Sequence, residues 1–271
     1  MGGARFVFLC IFTILASPTF ALAAPCGGDV DGKRIACRCG DTVVSDTRLL
    51  PDDPVVTTRC TLDGLTIRAA AMAESIRLEL DGLELHGSGV GIGIRVADGG
   101  SDGALVIGSP APRHGIVTGF GVGLVATEAV ALARVSRLDL RDNRNEGARV
   151  TMAGAVFEDV VASGNGRDGL HVRGNGGRLS GVASFENGEN GIRIFSNNAA
   201  VDAAADRNAR SGLIVDGEGN DLDGAQAVGN GRDGIVVRGS GGTWEIVKSQ
   251  SNARDDLRVN GRPPQSAEGG R

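Results

Sequence analysis

Arg149, His171, Arg173 and Arg193 are residues whose types and spacing could do chemistry together. Arg149, His171 and Arg193 stand 22 residues apart, and Arg173 follows His171 by two. A guanidinium fork matches carboxylates and sulfates, so three forks around one imidazole would suit an acidic polysaccharide. Asp168, three residues before His171, could complete an acid/base pair beside them. Each feature has a plain rival. The chain holds 26 arginines and 2 lysines, so an arginine face can simply be a solvated one. Asp168 has a counterpart in Asp233, in a coil without histidine, where an aspartate would serve the turn alone.

These residues share a face only if the chain winds at a fixed period, and the sequence repeats at one. Asn143, Asn165, Asn187, Asn208, Asn230 and Asn252 are spaced 22, 22, 21, 22 and 22 apart. Four residues after each of the first five comes Gly147, Gly169, Gly191, Gly212 or Gly234; Asp256 takes that place after the sixth. Apolar residues follow at the next position and two further on, as in Leu170-His171-Val172-Arg173. Eight residues before each asparagine stand Val135, Phe157, Leu179, Ala200, Leu222 and Trp244. Short alternations between glycine-rich turns are strands with one buried face, and the period suits one coil of a parallel β-helix. Stacked coils put Arg149, His171 and Arg193 in one outward column, with Arg173 in the next. The asparagines are expected to form an amide ladder, and the glycines to supply left-handed turn conformations.

Composition agrees. The chain has 271 residues, 41% of them hydrophobic, 44 glycines and a net charge of −5. Such a chain can bury a core, lacks the period of collagen and is too acidic for general nucleic-acid binding.

The clearest copies of the repeat are NGRDGLHVRG (165–174) and NGRDGIVVRG (230–239). They resemble the parallel β-helix repeat of the pectin-lyase-like superfamily, strongly over 143–261. The match is looser at DGLTIRA (63–69), DGLELHG (81–87), GIGIRVA (91–97) and FGVGLVA (120–126). The resemblance implies an all-β, right-handed parallel β-helix with three sheets. Residues 39–67 look like the start of many secreted bacterial β-helix proteins of unassigned role. The superfamily's enzymes imply a second class of function, a lyase or epimerase acting on a uronate polymer. Their motifs are not assembled here. No Asp-His strand motif stands in register with calcium carboxylates, Arg113-His114-Gly115 is a fragment of a hydrolase motif, and tyrosine is absent. His86, His114 and His171 are scattered, and a 22-residue period is wrong for calcium-binding nonapeptides, so no metal or cofactor is expected.

Residues 1–23 read as a signal peptide: the apolar run Phe6–Ala16 is too short to span a membrane, and Ala21-Leu22-Ala23 suits cleavage after Ala23. Pro25 before Cys26 does not fit a lipid-anchor site. Four cysteines remain, Cys26, Cys37, Cys39 and Cys60, and in a secreted chain they imply two disulfides. Three pairings are open; Cys37–Cys39 would be strained. Residues 24–64 are expected to cap the coil stack, 65–261 to form the β-helix and 262–271 a disordered tail. Asp256, breaking the glycine column, predicts a weakly capped last coil. A secreted monomer without a membrane span is expected, non-catalytic, with acidic polysaccharide as its partner.

Overall fold

The computed structural model describes residues 23–68, 76–97, 105–127, 132–245 and 247–260; residues 1–22 of the expected signal peptide and the whole expected tail, 262–271, lie outside them. Alternation in each short strand decides the architecture. In Leu170–Arg173 the two apolar side chains are buried and His171 and Arg173 face outward. One such strand buries too little to stand alone, so it is stable only when stacked. Stacking gives about nine turns of a parallel solenoid with roughly 22 residues per coil. Ala148, Leu170, Ile192, Leu213, Ile235 and Leu257 pair in register, rung on rung. They belong to a sheet of 12 strands that begins at Lys33–Ile35 and ends at Leu257–Asn260. The only helix among the described residues is Pro54–Thr57.

The other two walls are not separate sheets. Strands Leu132–Arg141, Val156–Ser163 and Arg178–Phe185 run through both, joining them into one 13-stranded sheet. Within these strands Arg137, Asp159 and Gly181 adopt φ of 48°, 53° and 62°, bending the strand without ending it. The 21-residue coil lacks this residue. Leu179 pairs with Val201 but Val182 with Ala203, one position fewer on the second strand. The core column therefore passes through Val201, which is buried, and not through Ala200, as counting back from the asparagine had suggested.

Each asparagine side chain joins two coils. Asn165 donates from its backbone and from Nδ2 to Oδ1 of Asn187, at 3.0 and 3.0 Å, and Nδ2 also reaches the Leu140 carbonyl. The pattern repeats from Asn143 to Asn252. The glycine column has a different cause from the one expected, since none of its members has a positive φ. A Cβ on Gly191 would lie 2.6 Å from Asn208 Nδ2 and 2.7 Å from the Gly212 carbonyl. Room for the ladder, not backbone freedom, requires glycine there. The left-handed residue is the one before each asparagine: Asp142, Gly164, Glu186, Arg207, Gly229 and Ser251.

The last coil is exposed, with Leu257 47% accessible, but its asparagine is satisfied. Asp256 Oδ1 accepts from Asn252 N at 3.0 Å and from Asn252 Nδ2 at 2.8 Å, standing in for the asparagine of a further coil. At the other end, Pro25–Val30 runs parallel to Thr42–Val43 and pairs with Lys33–Ile35 as an antiparallel hairpin. Disulfides Cys26–Cys37 and Cys39–Cys60 tie this end together, settling the pairing left open by the sequence.

Candidate functional site

The coil register brings the predicted site residues onto one outer face. Arg149, His171 and Arg193 are direct partners on three successive strands, and Thr151, Arg173 and Phe195 form the adjacent column. Phe195 was not singled out as a site residue by sequence. Its signal was its place in that outward column, where an apolar ring has no core to fill. Its ring lies 5.6 Å from that of His171. The Arg173 and Arg193 guanidiniums sit 4.8 and 5.2 Å from its centroid, in cation–π range.

The histidine's state follows from its neighbours. Arg173 Nε donates to His171 Nε2 at 3.1 Å. A guanidinium cannot accept, so Nε2 carries a lone pair and the proton sits on Nδ1. Burial first, and then the Arg193 charge, hold the His171 pKa below the ordinary histidine value; Asp168 opposes them only in part.

No hydrogen bond joins Asp168 to His171, the two residues drawn as an acid/base pair. Asp168 is buried, and its Oδ1 accepts from Asn190 N and Nδ2 at 3.0 and 2.8 Å. Its Oδ2 accepts from Arg193 Nη1 at 3.1 Å. Arg149 is likewise engaged, donating from Nη2 to buried Glu146 Oε1 at 2.7 Å. Two of the three arginines thus neutralise buried carboxylates, whereas Arg173 has rings as its partners and no carboxylate. Beside them opens a cleft of about 730 Å³, lined among others by Arg149, Thr151, Met152, His171, Arg173 and Asn175. Among the described residues no three His, Cys, Asp or Glu side chains converge as a metal site would require. No helix among them is long and apolar enough to cross a membrane. The two disulfides fit an oxidising compartment.

No family model matches this chain, and no curated protein does. Among solved structures it is similar to the A-module of mannuronan C-5 epimerase AlgE4 of Azotobacter vinelandii. Identity is 18%, covering 80% of this chain and 72% of that one, with a TM-score of 0.44. It is also similar to pectate lyase Pel9A, at 11% identity over 87% and 77% of the chains, with a TM-score of 0.40. Identities this low carry no site residue across. What the chain's own strands and ladders define is a parallel β-helix protein with an arginine-flanked histidine cleft on one sheet.

Proposed function

We propose that the chain is secreted through its leader and binds acidic polysaccharide in the His171 cleft without chemically altering it. The observation that carries this reading is the open cleft, large enough for sugar rings, where Arg149 and Arg173 meet His171 and the Phe195 ring lies alongside. A uronate offers a carboxylate to a guanidinium and an apolar sugar face to a ring. What supports binding over catalysis is the engagement of the two groups that would move protons. The Nε2 lone pair accepts from Arg173, and both oxygens of Asp168 are taken.

Arg173→Gln is the informative variant, because Arg149 and Arg193 hold buried carboxylates that their loss would strand. Titration of the full chain with polygalacturonate or alginate oligomers should give salt-sensitive binding, absent with neutral glycans. Arg173→Gln should weaken it about tenfold, or about 1.4 kcal/mol, the lower end for a charge-assisted contact. No affinity in the parent, or unchanged affinity in the variant, would sink the reading. The competing reading is a lyase or epimerase on a uronate polymer. Its support is a neutral imidazole beside arginines that could screen a sugar carboxylate. Ultraviolet detection of unsaturated uronate, or epimer content by NMR, would decide for the enzyme if turnover appears and vanishes in His171→Ala.

A further inference from the structure

Further along the same face the outward column reads Arg193, Ile214, Val236 and Arg258 on four successive coils. Two short apolar side chains between two arginines leave a notch whose ends are about 14 Å apart at ordinary strand spacing. One side of the notch is a second column. Arg210, Arg232 and Arg254 lie on consecutive rungs, joined by backbone hydrogen bonds of 3.0 and 3.0 Å. Arg238 also lines it. The result is a cavity of about 230 Å³ lined by six arginines and a single carboxylate, Asp233. Val236 points outward yet is only 2% exposed, which long arginine stems around it explain.

Like charges on adjacent rungs repel unless something neutralises them. Four of the six arginines have partners: Arg193 with Asp168, Arg210 with Glu189, Arg238 with Asp216 and Arg254 with Asp233. Asp233 is used up, since Arg254 Nε and Nη2 take both its oxygens at 2.7 Å each. Arg232 and Arg258 pair with no carboxylate among the described residues. These two guanidiniums, without a carboxylate among the described residues and one of them at the centre of a stacked trio, face a space under a third the size of the His171 cleft.

We propose that this arginine box binds a tetrahedral oxyanion, a phosphate or sulfate group, at a site separate from the His171 cleft. Such a group is compact, carries one or two negative charges and offers at least three acceptor oxygens, so it can engage Arg232 and Arg258 together. A lone carboxylate satisfies one fork. The site does not depend on the polysaccharide reading, because its two unpaired arginines lie outside the His171 cleft.

Calorimetry of the full chain against inorganic phosphate and inorganic sulfate, with chloride at matched ionic strength, tests the proposal. Saturable one-to-one binding of the tetrahedral anions but not of chloride is expected. A sugar phosphate and a sugar sulfate, titrated in parallel, tell whether the group is taken free or as an ester. Arg232→Gln and Arg258→Gln strand no buried carboxylate, and each should weaken binding at least tenfold. Arg77→Gln, on the other sheet, should leave it unchanged. Polygalacturonate binding should survive Arg232→Gln, which separates the two sites. Phosphate acting no differently from chloride, or binding undiminished in the Arg232→Gln/Arg258→Gln double variant, would overturn it.

Discussion

Burial and the Arg193 charge both work against a proton on His171, with Arg173 adding to them and Asp168 and Glu146 opposing in part. The unfolded chain takes up that proton near pH 6.5, as any histidine does, and the native chain only at lower pH. The stability that the neutral ring contributes is therefore whole above about pH 6.5 and is lost as pH falls through the native value. Urea titrations of the parent and His171→Gln should diverge accordingly: the parent's advantage shrinks as pH falls below about 6.5. An advantage independent of pH would mean that the ring titrates alike in both states. Of this site the sequence made the columns legible, because a fixed period places Arg149, His171 and Arg193 by arithmetic. It did not reveal which arginines were already engaged. Glu146 lies in the same coil as Arg149, but Asp168 meets Arg193 from the coil before, a contact that only three-dimensional stacking creates.

At the scale of the strand, alternation makes neighbouring positions unequal. Val215 is fully buried and Ile214 is half-buried on the outer face. Val215→Asp would place a charge among apolar coils with no partner, costing about 3–5 kcal/mol. Ile214→Asp, facing Arg193 and Val236 across the rungs, should stay within about 1 kcal/mol of the parent. Equal losses of melting temperature would contradict the register. The strands themselves were readable because period-two alternation needs only local sequence. The merged walls were not, since a left-handed arginine or aspartate at a bend, as at Arg137 and Asp159, leaves no mark in composition. Nor was the purpose of the glycine column readable, because the atoms that exclude a Cβ from Gly191 come from the next coil.

Over the whole molecule, covalent staples and repeated contacts divide the work of holding coils together. Both disulfides lie at the end where the sheet finishes in a hairpin, and Cys39–Cys60 closes a separation of 21 residues, worth about 3 kcal/mol on the loop-entropy account. Reduction should raise hydrogen exchange first over residues 24–64 and leave the coils between Asn143 and Asn252 protected. Uniform loss of protection would contradict that division. The asparagine column governs how long such a rod can be. Asn165 gives Asn187 what Asn143 gives Asn165, so a duplicated 22-residue unit would find every partner it needs already in place. Asp256 alone accepts without passing anything onward. Tandem duplication upstream of it could therefore lengthen the protein by whole coils while the same residue still terminates the column, and evolution could change the number of binding faces without redesigning a core.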